Sequence, residues 1–261
     1  MSETRAAESR VAAVPAPDAD AVVGGLVADG YAFVPGGAMR RLAEAAGGTD
    51  WPDYAASWDD LGPDRFMADG GTYRKRRFAC FAVTAASLAL KPPRPHFQTR
   101  DNNPLNGGVA RTFEPVRDGI AFHPMNRALV ATCLRVFEAA TPAGAAPAAW
   151  HAEMHQFRIE ARAGESGQPT PEGLHRDGVD WVLVMMVRRE NVAEGQSTIA
   201  DAERRPLRTE TLAAPFDASL VDDRRVFHGV SPITARDPAR PAFRDVLVLT
   251  FRADDASDGE A

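Results

Sequence analysis

The sequence predicts a mainly β protein with flanking helices, a β-sandwich or jelly roll whose helices pack outside. Three observations point there. From residue 150 onward, short β-rich segments alternate with turns. Before that point the apolar spacing is mostly helical. The composition is that of an ordinary globular chain, 44% hydrophobic and 25% charged, and 261 residues suit a single core.

Taken in order, residues 1–18 are rich in Ala, Pro and charge without apolar period and read as a flexible tail. Residues 19–252 read as one domain, with a helix-rich flank at 19–149 and a jelly-roll core at 150–252. Residues 20–29 have helical spacing that Gly30 can end, 31–34 form a short strand, and 39–46 a second helix closed by Gly47 and Gly48. Residues 74–83 alternate as a strand, which the Pro-rich stretch 91–96 interrupts. Leu129, Val130, Cys133, Leu134 and Phe137 make 126–140 an amphipathic helix, and 141–148 is a Pro/Ala loop. Strands follow at 151–162, 179–188, 197–200, 225–230 and 245–251, and 253–261 is a small acidic tail.

Composition also excludes partners. The net charge is −6, with 30 basic and 36 acidic residues, so no basic surplus serves a nucleic acid. No apolar run approaches the ~20 residues of a membrane helix. The N-terminus lacks the basic-then-apolar pattern of a secretion signal, so a cytoplasmic protein is expected. Two cysteines, Cys80 and Cys133, leave no room for a disulfide framework or a cysteine-built zinc site. Only two basic residues are lysine and 28 are arginine, which GC-rich coding explains without any functional reading.

The chemistry concentrates in Pro171-Glu-Gly-Leu-His175-Arg-Asp177. His-x-Asp at a strand mouth directs an imidazole and a carboxylate to one side, because i and i+2 share a face. A third ligand is offered by His228, 51 residues after Asp177 on another expected strand. Two histidines and one carboxylate on one face of an octahedral ion form the facial triad of non-haem Fe(II) oxygenases. Sixteen residues further on, Arg244 opens a strand, where a buried guanidinium can grip a carboxylate with two prongs.

These segments, His175-Arg-Asp177, His228-Gly-Val-Ser-Pro-Ile and Arg244-Asp-Val-Leu-Val-Leu-Thr-Phe, resemble the Fe(II)/2-oxoglutarate-dependent dioxygenases of the L-isoleucine 4-hydroxylase type. The resemblance reaches back to Gly70-Gly-Thr-Tyr-Arg-Lys-Arg-Arg-Phe78, Asn103-Pro-Leu-Asn-Gly-Gly108 and His155-Gln-Phe-Arg158, and spans roughly residues 25–252. It implies a double-stranded β-helix (a cupin-like jelly roll), Fe(II) held by His175, Asp177 and His228, and 2-oxoglutarate held by Arg244. No catalytic residue beyond the iron ligands is implied. It further implies that O₂ and 2-oxoglutarate are consumed, with succinate and CO₂ released, as an unactivated C–H bond of a free L-amino acid or small derivative is hydroxylated. Thioether substrates would be sulfoxidised. A carboxylate at Asp177 favours hydroxylation over halogenation, since related halogenases carry a small residue there. The chain departs from the family at Glu194-Gly195, where a paired glycine would be expected before the strand at Ser197.

A substrate carboxylate needs a cationic partner, for which Arg76, Arg77 and Arg158 are candidates. His155 and Gln156 are further candidates for the pocket. Trp181 and Met185, spaced to share a face with His175 and Asp177, read first as core and second as substrate wall. Asp222 and Asp223 read as turn formers that could also orient a ligand histidine. Two other readings stay open: a non-catalytic metal-binding jelly roll, and a cupin-like metalloenzyme that uses no 2-oxoglutarate. An oligomer is compatible with everything above.

Overall fold

The computed structural model describes residues 16–254. The tails expected at 1–15 and 255–261 lie outside the described residues. Residues 16–18, read as tail, instead open the first helix, and Asp254 is held by Lys91 at 2.6 Å. The chain begins α1 (Ala16–Asp29), β1 (Tyr31–Val34), α2 (Gly36–Ala45), α3 (Trp51–Ala56), β2 (Gly62–Pro63), β3 (Arg74–Thr84), β4 (Ser87–Leu90), α4 (Asp118–Ala121) and α5 (Pro124–Ala140). Strands then take over: β5 (Trp150–Ala161), β6 (Trp181–Glu190), β7 (Val192–Glu194), β8 (Ser197–Ala200) and β9 (Pro206–Glu210). The last four are β10 (Ala218–Asp222), β11 (Phe227–Val230), β12 (Ile233–Ala235) and β13 (Ala242–Ala253).

Eight strands form one antiparallel sheet in the order β1-β10-β6-β13-β5-β3-β2, with β4 also paired to β3. Two smaller sheets, β11-β8-β9 and β12-β7, make the second layer. Bridges from Gly167 to Ile233 and from His175 to His228 tie the long β5–β6 connection to that layer. This is the expected jelly roll. One boundary differs, because β1 and β3 come from the helix-rich first half yet enter the main sheet, β3 directly beside β5.

The core follows from strand alternation. On one face of the main sheet Phe81, Met154, Leu183, Leu249 and Phe251 pack against Leu26 of α1, Leu42 of α2 and Leu129 and Phe137 of α5. Helix α5 starts at Pro124, whose ring suits the first helical position, and the His123 side chain caps it by accepting from the Met125 amide at 3.1 Å. Its buried stripe recurs every three or four residues. With this face sealed by helices, the opposite face of the same strands is turned inward between the two layers.

Glu194 and Gly195 both adopt left-handed backbone, with φ of 60° and 72°. A glycine occupies that region freely whereas glutamate is strained there. Neither residue lines the cavity described next.

Candidate metal centre

Between the layers lies a cavity of about 370 Å³. At one end His175, Asp177 and His228 each offer a ligand atom, all within 4.8 Å of one another. The two histidines are cross-strand partners: the His175 amide donates to His228 O at 2.9 Å, and the His228 amide donates back at 3.0 Å. Their rings stand 4.5 Å apart. The approach depends on Gly229, because a Cβ there would lie 2.9 Å from the Gly173 carbonyl. That carbonyl accepts from His175 Nδ1 at 3.0 Å, which leaves the Nε2 lone pair facing Asp177.

Asp177 lies in a turn before β6 and not on the strand, so it is placed by side-chain contacts. Buried Asp223 accepts from the backbone amides of Asp177, Gly178 and Val179 at 3.0, 2.7 and 3.2 Å. This is the turn chemistry expected of it, and its Oδ1 also faces His228 Nδ1 at 3.7 Å. Gln98 Nε2 donates to Asp177 Oδ1 at 3.1 Å, while Asp177 Oδ2 faces His228 Nε2 at 3.4 Å. Gln98 is itself fixed, since its Oε1 accepts from Arg111 at 2.8 Å and Asn103 at 3.2 Å. Burial pushes the Asp177 carboxyl up, but the His228 hydrogen bond and the charges of His228 and His175 outweigh it and hold the group below its ordinary value. Burial and the charge of Asp177 push Asp223 up.

Arg244 lies on the inward face of β13, 2% exposed, in the same cavity. Its Nε and Nη2 have no hydrogen-bond partner. Burial, aided by the charge of Arg189, brings its pKa down to about 10. A buried cation without an acceptor is costly unless a ligand anion completes it.

Of the six residues considered for substrate, two reach the cavity. Arg76 and His155 line it, with Arg76 Nη2 2.5 Å from His155 Nδ1. Their sequence neighbours point the other way, because adjacent strand residues face opposite sides. Arg77 bonds the Asp60 and Pro115 carbonyls, Gln156 donates to Ser57, and Arg158 grips Asp245 through two bonds of 2.7 and 2.8 Å. Trp181 stacks on Phe137 in the helical core, with centroids 5.3 Å apart at 9°. The turn between Asp177 and Trp181 breaks the i, i+2 alternation that would have put Trp181 inward.

Arg74, Arg111 and Glu153 are among the cavity groups to which the sequence assigned no role. Arg74 and Arg111 join Arg76 in the lining. Glu153 on β5 is gripped by three histidines, His96 at 2.9 Å, His155 at 3.4 Å and His151 at 3.5 Å. Burial pushes Glu153 up, yet the charge of His96 and the three hydrogen bonds hold it well below its usual range. Burial, only partly offset by Glu153, brings His155 down from 6.5 to about 3. Between those two values the unfolded chain binds the proton that folded His155 refuses, so stability falls as pH drops across that window. The expected slope is up to ~1.4 kcal/mol per pH unit in urea unfolding. His155→Gln should flatten it, and an unchanged slope would assign it to other groups.

Gln98 carries a second expectation. Gln98→Ala should cost about 10–100-fold in Fe(II) affinity or turnover, the usual effect of losing an outer partner of a metal ligand. A titration with Fe(II) reads it, and unchanged affinity and rate would leave Gln98 as a loop anchor only.

The donor set suits a divalent ion of the first transition row with positions left open, Fe(II) foremost. Fold and donor set together define the class, a jelly-roll metal-dependent oxygenase. The chain belongs to the 2OG-Fe dioxygenase family, whose model matches residues 55–250. Members use Fe(II), 2-oxoglutarate and O₂, and the chain is an enzyme of this kind. It is similar to a 3(1)-hydroxy-L-isoleucine 4-dioxygenase of Pantoea ananatis, at 28% identity over 85% of this chain and 92% of that one. It is also similar to an L-isoleucine-4-hydroxylase of Bacillus thuringiensis, at 26% identity over 69% of this chain and 75% of that one. A crystal structure of a bsmA homologue from Methylobium petroleophilum PM1 superposes with a TM-score of 0.80, at 36% identity, covering 90% of this chain and 93% of that one. Among the described residues no helix is long and apolar enough to cross a membrane.

Proposed function

We propose that the chain hydroxylates an unactivated C–H bond of a free L-amino acid or small derivative, with Fe(II) held by His175, Asp177 and His228 and 2-oxoglutarate held by Arg244. The observation that carries this reading is the convergence of the three ligand atoms and the unpaired Arg244 fork on one buried cavity. The amino-acid activities named for the two curated relatives support the substrate class.

When bound, iron with 2-oxoglutarate and O₂ supplies the oxidising power to cleave the C–H bond, releasing succinate and CO₂. The chain's residues do the rest. Gly173 O and Gln98 orient His175 and Asp177, and Asp223 holds the turn that carries Asp177. Arg244 orients the cosubstrate by its distal carboxylate. Arg76, wedged between the rings of Phe113 at 3.6 Å and Phe157 at 4.4 Å, supplies positive charge for a substrate carboxylate. Val184, Val246 and Val248 give the cavity an apolar wall. A small-molecule substrate suits these walls.

The test incubates the protein with Fe(II), ascorbate, 2-oxoglutarate and a panel of free L-amino acids. Succinate should form and one amino acid should gain the mass of one oxygen atom. Neither product with any member of the panel would overturn the proposal.

A further inference from the structure

One carboxylate in the cavity is left without a task by the reading above. Glu172 lines it, three residues before His175, with a side chain only 8% exposed. Its Oε1 lies 3.7 Å from His175 Nε2, and its Oε2 is buried without a hydrogen-bond partner. Among the described residues no other carboxylate oxygen is buried in that condition. The other lining carboxylates are occupied, Glu153 by three histidines and Asp177 by Gln98 and the two triad histidines. A buried, unpaired carboxylate is costly unless a ligand supplies the missing donor.

Charge in the cavity is also divided. Arg74, Arg76 and Arg111 stand as three buried guanidiniums with Asp64 shared between two of them, at 2.7 Å from Arg74 and 3.8 Å from Arg76. Arg111 lies within the field of Glu172. A ligand that answers both needs carries an anion and a cation a few bonds apart. A simple carboxylic acid answers one only, and an N-acylated amino acid has lost the cation.

We infer that Glu172 binds the ammonium group of the substrate, so that the cavity selects an amino acid with its amine free and rejects the N-acylated form. This rests on the amino-acid reading of the site. A fourth metal ligand at this position would leave two open places on an octahedral ion, too few for a bidentate cosubstrate and O₂ together. A substrate cation accounts for the unpaired oxygen without that conflict.

The experiment uses the full chain, the variant Glu172→Gln, and two probes: the free L-amino acid oxidised fastest in the panel and its N-acetyl derivative. Anaerobic binding of Fe(II) and 2-oxoglutarate, read by the visible charge-transfer band, reports the metal site independently of turnover. The wild type should prefer the free amino acid by about 100-fold or more in kcat/KM, as sites built around a polar substrate group do. Glu172→Gln should keep the band and the 2-oxoglutarate affinity. It should raise KM for the free amino acid by about 30-fold or more, the effect of deleting one partner of a buried charge pair. Turnover of the N-acetyl derivative should not fall. An unchanged KM for the free amino acid overturns the inference and leaves the proposed function standing. Loss of the charge-transfer band also overturns it, placing Glu172 in the metal site. If the wild type oxidises no free amino acid although the band forms, the proposed function falls and this inference with it.

Discussion

Asp177→Ala should abolish turnover, with a loss of at least about a thousandfold, well beyond the 10–100-fold typical of outer partners. The two histidines alone leave a site without its only anionic ligand, and the alanine methyl cannot accept the Gln98 hydrogen bond. Fe(II) affinity should fall with turnover, and the charge-transfer band with 2-oxoglutarate should be lost or weakened. The fold should survive, because the 177–179 turn is held through its backbone amides by Asp223. Removing the Asp177 charge also relieves its repulsion with Asp223, whose carboxyl is pushed up first by burial and then by that neighbour. The attraction of His228 and His175 for the Asp177 carboxylate is lost at the same time, so the thermal midpoint without metal should change little. Full activity in the variant would remove Asp177 from the metal site.

Arg244→Met should move stability and binding in opposite directions. In the ligand-free protein the guanidinium is buried, two of its nitrogens are unpaired, and it lies in the field of Arg189. Methionine fills similar volume without charge, so the ligand-free variant should gain about 1 kcal/mol or more. 2-Oxoglutarate affinity should fall by at least ~30-fold, from losing one partner of a buried charge pair worth about 2–5 kcal/mol. Melting curves with and without 2-oxoglutarate read both effects at once: a higher baseline and a vanished ligand-induced rise. A lower baseline with the rise retained would make Arg244 structural and return the site to a cupin-like metalloenzyme.

The parts legible in the sequence were those carried by chemistry at fixed spacing and by strong periodicity. His175, Asp177, His228 and Arg244 could be singled out because their types and order are rare together, and the structure brings all four to one cavity. Strands β1 and β8 followed from the turn signals that precede them, Gly30 and Glu194-Gly195, and the amphipathic face of α5 from i, i+3, i+4 spacing. Strand β10 escaped, being five residues long and buried at every position, with no alternation to betray it. Which arginine faces inward was equally hidden, since Arg76 and Arg77 are chemically identical neighbours and only the register of β3 on β5 separates them. Gln98 and Arg111 were illegible for another reason: they reach the site from a loop, through a chain of contacts that no period describes.

The alternation along β5, β6 and β13 has a practical consequence for altering this enzyme. Each strand carries two interleaved messages, one read by the helices and one by the cavity. Phe157, Val184, Val246 and Val248 face the cavity, while Met154, Leu183, Leu247 and Leu249 are sealed beneath α1, α2 and α5. A library that randomises only the first set searches new substrates while the helix-facing packing stays in place. The same number of changes one residue along would search mostly unfolded chains.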